Sequence, residues 1–226
     1  MKAEWIVRRG NRSLLLFFNG WGMDRRVADW LASTWPDLPD RDIAVLYDYC
    51  DLSLPGWLGE AIADSDSLYL VAWSLGVWAA SNAGLARIDR AVALNGTPTP
   101  VNAERGIPPE IFRGTLESWN DENRKRFERR MTGGIPAEIA EAVRAVRSAD
   151  EQQAELRSIG EAVASCPAAS AASWKFSKAL IGGRDLIFTP ENQRRSWREA
   201  GVPAVEIAAM PHFPFTHLAG WRELLA

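Results

Sequence analysis

Ser74, Asp185 and His212 are the residues of this chain whose types and order could carry a covalent reaction. A serine hydroxyl attacks a carbonyl carbon when an adjacent imidazole takes its proton, and a carboxylate that orients the imidazole completes the relay. Ser74 stands at the centre of Ala72-Trp73-Ser74-Leu75-Gly76. An apolar, β-favouring run over 68–73 ends at it and residues of helical character follow at once, so the serine falls where a buried strand turns into a helix. On such a turn the backbone is strained, and the positions two before and two after must be small so that strand and helix can approach. Ala72 and Gly76 meet that need, although Ala72 departs from the usual G-x-S-x-G pattern. The competing reading of these five residues is a serine that caps an ordinary buried helix.

The decision comes from the rest of the chain. An α/β-hydrolase runs its triad in the order serine, acid, histidine, with the acid after a late strand and the histidine after the last one. Asp185 follows an apolar run and Gly182-Gly183; alone it would read as a turn-forming aspartate. The chain has two histidines, His212 and His217, both near its C-terminal end. His212 lies closer to the end of the last expected strand and is the chosen base, whereas His217 is the alternative, placed near the final helix.

The elements that must position these groups follow from hydrophobic pattern. Residues 5–7 and 13–18 read as strands joined at Gly10-Asn11, the second apolar throughout as in a sheet covered on both faces. It ends in Asn19-Gly20-Trp21-Gly22, a loop whose glycines allow an unusual backbone path and whose N–H groups could face an anion. A helix is expected from near Asp24, a strand at 43–47, a short helix at 56–63, the serine turn and its helix, and a strand at 91–94 stopped by Asn95-Gly96-Thr97-Pro98. This alternation predicts a largely parallel α/β sheet. From about 100 to 170 the pattern changes to helix, at 117–131 and 137–164, and is read as a helical lid inserted into a single domain of 1–226. A strand at 174–181, a helix at 190–200, a strand at 204–207 and a last helix through Trp221 complete the chain.

Composition narrows the function classes. With 226 residues, 47% of them hydrophobic, the chain can bury a full core. No apolar stretch approaches the roughly 18 residues of a membrane span, and the N-terminal residues lack a signal-peptide pattern, so the expected compartment is the cytoplasm, without membrane contact. Cys50 and Cys166 lie far apart with no Cys/His cluster, which fits two reduced thiols and argues against zinc. A formal charge of −3 gives no global reason to expect nucleic acid. The 11 tryptophans are scattered rather than repeated, as in a core or a pocket lining.

One local patch stands out. Five of the seven residues in Arg124-Lys125-Arg126-Phe127-Glu128-Arg129-Arg130 are basic. On a helix Arg126, Arg129 and Arg130 would share a face through i,i+3 and i,i+4 spacing, with Phe127 and Met131 on an adjacent apolar stripe. A solvated helix face is the alternative reading.

Several segments together resemble a known family. Asn19-Gly20-Trp21-Gly22-Met23-Asp24, the serine segment with alanine at its first small position, Gly106-Ile107-Pro108 with Phe112-Arg113-Gly114-Thr115-Leu116-Glu117, Arg126-Phe127-Glu128-Arg129-Arg130 and Phe215-Thr216-His217 look like the BioG-type pimeloyl-[acyl-carrier protein] methyl ester esterases of biotin synthesis. His212-Phe213-Pro214-Phe215 is similar to the catalytic histidine segment of the related BioH-type esterases, which favours His212 over His217. The resemblance implies a cofactor-independent serine esterase that removes the methyl cap from pimeloyl-carrier-protein methyl ester and releases the free carboxylate. In that scheme Ser74, Asp185 and His212 form the triad, and the backbone N–H groups of Trp21 and Leu75 meet the oxyanion. Arg124, Arg126, Arg129 and Arg130 would receive the acidic surface of an acyl carrier protein. Two other functions share parts of this pattern: a general small-ester carboxylesterase, which needs no protein partner, and a non-catalytic binding protein on the same fold.

Overall fold

A computed structural model of the chain describes residues 1–38, 40–165 and 174–226. Cys166 therefore lies outside the described residues, as does the end of the expected insertion at 166–170. Seven strands form one sheet: β1 (Lys2–Val7), β2 (Ser13–Phe18), β3 (Asp42–Tyr47), β4 (Ser67–Trp73), β5 (Arg90–Leu94), β6 (Lys178–Gly182) and β7 (Ala204–Ile207). Their order in the sheet is β1-β3-β2-β4-β5-β6-β7. β1 pairs antiparallel with β3 at one edge, so the first two strands are not sheet neighbours, and every other pairing is parallel. Parallel neighbours need long crossovers, which the intervening helices supply. This is the α/β-hydrolase architecture expected from the sequence.

The two faces of the sheet follow from side-chain alternation. Leu14, Leu16, Phe18, Leu70 and Ala72 enter one core cluster with residues of α2 (Gly56–Asp64), α3 (Leu75–Asn82) and α8 (Pro190–Glu199). Leu15, Phe17, Val71 and Trp73 enter a second with α1 (Arg26–Thr34) and α9 (Trp221–Leu225). Because both faces of β2 and β4 are covered, their sequences are apolar without a period of two.

Between β5 and β6 the described residues form α4 (Pro109–Glu117), α5 (Asp121–Thr132), α6 (Ala137–Ala142) and α7 (Ala149–Ser165). Three expectations are corrected here. The helix expected at 117–131 starts only at Asp121, and a separate helix at 109–117 precedes it, opened by Pro109, since proline fits a first helical turn. The helix expected at 137–164 is two helices, interrupted where Val143, Ala145 and Arg147 turn inward. Ser148 and Glu151 then restart it as a reciprocal cap: the Ser148 N–H donates to Glu151 Oε2 (2.8 Å) and the Glu151 N–H to Ser148 Oγ (3.2 Å). Finally, the strand expected at 174–181 begins only at Lys178. Trp174 and Phe176 alternate like strand residues but pack as irregular chain, Phe176 edge-on against Trp197 of α8 at 5.4 Å. No helix among the described residues is long and apolar enough to cross a membrane.

Candidate active site

The parallel strands end on the same side of the sheet, where three of them break the backbone rules in the same way. Asp48, Ser74 and Asn95, just past β3, β4 and β5, are the non-glycine residues with positive φ among the described residues, at 60°, 59° and 45°. Such conformations cost on the order of 1–3 kcal/mol each and persist where the surroundings enforce them. At Ser74 the enforcement is visible. Its N–H donates to Leu94 O (2.9 Å), its own carbonyl accepts the Val77 N–H (3.1 Å), and α3 starts at the next residue. A Cβ on Gly76 would stand 2.4 Å from Asn19 O and 2.5 Å from Phe18 O, so the helix can lie this close to β2 only with glycine there. Ala72 sits fully buried in the core, its methyl accommodated.

The three residues singled out by type and order meet. His212 Nε2 lies 2.9 Å from Ser74 Oγ, and His212 Nδ1 lies 3.0 and 2.9 Å from the two Asp185 oxygens. With Nδ1–H donated to the carboxylate, Nε2 is left free to accept the serine proton. All three are buried. Asp185 Oδ1 also accepts the N–H groups of Ile187 (2.8 Å) and Phe188 (3.0 Å), and Oδ2 accepts Gln193 Nε2 (3.0 Å). The imidazole stacks on Phe188 at 6.1 Å with rings 7° from parallel. His217 does not reach the site; it is exposed on a single 3₁₀ turn (Phe215–His217) and its ring nitrogen contacts Thr216.

Three further residues hold this geometry, and two of them, Asn95 and Gln193, carry no clear mark in the sequence. Asn95 Nδ2 donates to Pro211 O (2.8 Å) and His212 O (3.0 Å), while its Oδ1 accepts the Gly182 N–H (2.6 Å), so one buried amide ties the ends of β5 and β6 to the histidine loop. Trp73 Nε1 donates to His212 O as well (2.8 Å). Gln193 is the third, bridging Asp185 and Phe188 O (2.7 Å). The one signal for Asn95 is its position, a polar residue directly after a buried strand; Gln193 has none beyond its place on a helix.

The Trp21 loop passes beside the serine. Gly20 N–H donates to the Asn19 side chain, Gly22 N–H to Glu155 and Met23 N–H to Gly20 O, which leaves the Trp21 N–H without a partner among the described residues. Leu75, first residue of α3, likewise has no acceptor in its own helix. These are the two N–H groups expected to face an oxyanion.

A narrow cleft lies over Ser74. Its walls are Trp21, Leu75, Ile107, Phe112, Phe127, Leu156 and Ile187, and the exposed side chains of Ile111, Leu186 and Arg130 form its outer edge. Its free volume is about 40 Å³, room for a few waters and too little for an acyl chain. Trp21 is wedged against Trp119 (4.5 Å) and Phe127 (5.2 Å) of the inserted segment.

The arginine helix separates into parts. Asn120 caps α5 through bonds from the Glu122 and Asn123 N–H groups, and Gly133 closes it at φ 61°. Arg124 is turned inward: it pairs with Glu128 (3.0 Å) and donates to Arg147 O (2.8 Å) and Ala145 O (2.7 Å). Arg126 pairs with Glu122 and, with Arg130 and Phe127, lines a groove next to the cleft over Ser74. Arg130 also donates to Leu186 O (2.9 Å). Arg129 lines a different hollow, between α5 and α6, together with Arg124, Lys125 and Arg144.

Comparison with known proteins gives a consistent result. The model of the family described as pimeloyl-ACP methyl esterase BioG matches residues 1–224. The crystal structure of BioG from Haemophilus influenzae superposes with a TM-score of 0.87 at 32% identity, over 100% of both chains. A malonyl-[acyl-carrier protein] O-methyltransferase of Bacteroides fragilis is 36% identical over 192 residues; these are 83% of this chain but 37% of that protein, so the chain spans well under half of its length. A lipase-esterase related protein from Clostridium acetobutylicum shares the fold, with a TM-score of 0.61 at 14% identity over 94% and 92% of the two chains.

Proposed function

The chain belongs to the BioG family, and from that premise we propose that it is a serine esterase that hydrolyses the methyl ester of a pimeloyl chain carried on an acyl carrier protein. The observation that carries this reading is the relay from Asp185 through His212 to Ser74 beneath a cleft with apolar walls. In the first half-reaction Ser74 Oγ bonds to the ester carbonyl carbon as its proton passes to His212 Nε2, and Asp185 stabilises the imidazolium. The tetrahedral oxyanion is held by the N–H groups of Trp21 and Leu75. Collapse breaks the bond to the methoxy oxygen, which leaves as methanol with the proton from His212. A water, deprotonated by the same imidazole, then releases the acyl group as a free carboxylate and restores Ser74.

The walls of the cleft select for this substrate. Apolar side chains accept a methylene chain capped by a neutral ester, whereas an ionised carboxylate drawn in to Ser74 would lose its hydration while Arg130 stands only at the outer edge. The capped chain is therefore bound and the product is expelled. In this reading the whole chain is one domain and the insertion at about 100–170 is its lid, whose helices shift to admit the acyl chain. Arg126 and Arg130, beside the cleft, meet the acidic surface of the carrier protein, and Arg124 braces the helix from within. The name of the Bacteroides fragilis relative, a methyltransferase acting on malonyl-carrier protein, supports a carrier-bound methyl ester as the chemistry in which this family works.

The test compares kcat/KM on carrier-bound pimeloyl methyl ester, free dicarboxylate methyl esters and a small p-nitrophenyl ester. A clear preference for the carrier-bound ester is the expected result. Equal values for the free and carrier-bound esters would instead make the protein a general carboxylesterase.

A further inference from the structure

The loop that offers the Trp21 N–H is gripped from one side by a helix of the insertion. Glu155, fully buried on α7, accepts the Gly22 N–H at Oε2 (3.1 Å) and the Tyr49 N–H at Oε1 (2.9 Å). Gln152, one turn earlier, donates through Nε2 to Gly22 O (2.8 Å), and its backbone carbonyl accepts the Trp21 indole N–H (2.8 Å). Gly22 has φ 74°, and a Cβ there would stand 3.2 Å from Gln152 Nε2. Arg147 locks the carboxylate from the other side, at 2.5 Å from Oε2, and reaches Met23 O (3.3 Å) and Asp48 (3.3 Å). Thus both peptide groups of Gly22 and the side chain of Trp21 are fixed by Gln152 and Glu155, while the backbone N–H of Trp21, one peptide earlier, has no partner among the described residues.

We propose that Glu155 and Gln152 are positioning residues that aim the Trp21 N–H at the tetrahedral oxyanion, so that docking of α7 assembles the oxyanion hole. The proposal rests on the reading of Ser74 as nucleophile and of Trp21 as an oxyanion donor. An isolated ion pair buried for stability would need Arg147 and Glu155 alone. Here the carboxylate accepts the N–H next to the one the reaction needs, and Gln152 takes the carbonyl of the same glycine. Movement of α7 would therefore change the aim of the donor as well as the width of the cleft.

The test measures Glu155→Gln and Gln152→Ala in the full chain with a small p-nitrophenyl ester, normalised to the sites that react with a fluorophosphonate, which bonds to an activated serine with loss of fluoride. Because a lost oxyanion donor costs about 10²–10³ in rate, a misaimed one should lower kcat per titrated site by at least about tenfold and leave KM nearly unchanged. The affinity for a trifluoromethyl ketone, whose serine adduct carries the same oxyanion, should fall by the same factor as kcat/KM. Unchanged turnover per titrated site and unchanged ketone affinity, with only a lower unfolding temperature, would overturn the proposal and leave the cluster as a structural ion pair. A rise in KM without loss of kcat would also overturn it. Failure of the wild-type chain to react with the fluorophosphonate would count against the nucleophile itself, a separate outcome.

Discussion

The strand ends that carry Ser74, Asp185 and His212 and the helix that carries the arginines are built on opposite plans. At the strand ends the polar groups of the relay are buried and answered by protein rather than solvent: Asp185 by the N–H groups of Ile187 and Phe188 in its own loop and by Gln193 of α8, the His212 carbonyl by Trp73 and Asn95. On α5 the exposed charges are answered mainly by their own helix, as in the Arg126–Glu122 pair one turn apart, and solvent does the rest. The first arrangement holds its groups at hydrogen-bonding separations of 2.9–3.0 Å, the reach that a proton transfer would need. The second leaves side chains free to find a partner, which suits recognition by charge. The two plans fail in different ways, so substitutions can separate them.

The largest expected effect is at the relay. Ser74→Ala should lower kcat by about 10⁶, the scale found when a serine triad loses its nucleophile, without changing the unfolding transition. His212→Ala should fall to the same residual level, because the hydroxyl is inert without its base. His217→Ala should stay near wild type, since that ring is exposed and its contact is with neighbouring Thr216. Turnover on a p-nitrophenyl ester checks all three, and an inactive His217→Ala with an active His212→Ala would move the base to His217.

A second effect, smaller in rate but larger in stability, is expected at Asn95. Asn95→Ala strands the Pro211 carbonyl and the Gly182 N–H in the interior, whereas the His212 carbonyl keeps its bond from Trp73. Each stranded group costs about 1–3 kcal/mol. The unfolding temperature should fall by several degrees, since 1 kcal/mol is worth about 2–4 °C at this chain length. Release of the histidine loop should also lower kcat by roughly tenfold, on the scale of a positional error in a catalytic group. Unchanged stability in a thermal melt would show that water replaces the amide at both groups.

The contrast between these regions also explains which features are legible in the sequence. Continuous apolar runs at 13–18, 43–47, 68–73 and 91–94 mark strands covered on both faces, and the small residues around Ser74 mark the turn, because both signals are local. Asn95, Gln193 and Glu155 escape such a reading for the opposite reason. Asn95 and Glu155 are polar residues with partners far away in the chain, Gln193 reaches back to the loop before its own helix, and composition cannot distinguish a glutamate facing solvent from one that binds Gly22 and Tyr49. The same limit merges α6 with α7 in the helical pattern, since the break is enforced by Arg147 turning inward to Glu155. On α5 the helical spacing groups Arg126, Arg129 and Arg130 on one face, whereas the packing turns Arg124 inward and parts Arg129 from Arg126 and Arg130.

That division of the arginines gives the smallest and most selective prediction. Arg126 and Arg130 border the groove beside the cleft, so an acidic carrier protein delivering its arm to Ser74 would pass them, while Arg129 faces the hollow between α5 and α6. Rim charges act mainly on association, and salt screens them over roughly 8–10 Å. Reversing Arg126 and Arg130 together to Glu should lower kcat/KM for the carrier-bound ester by about tenfold at low salt, a barrier change of about 1.4 kcal/mol. The loss should shrink as salt rises. Hydrolysis of a p-nitrophenyl ester should barely change, because its path to Ser74 involves no docking, and Arg129→Glu alone should affect neither substrate strongly. Equal losses on both substrates would mean that the reversal damages the walls of the cleft, where Arg130 also holds Leu186 O. Loss from Arg129→Glu but not from the pair would move the docking face to the other side of the helix. No loss from any of the three would leave α5 a solvated face, and the contrast with the strand ends would then be one between chemistry and solubility rather than between chemistry and recognition.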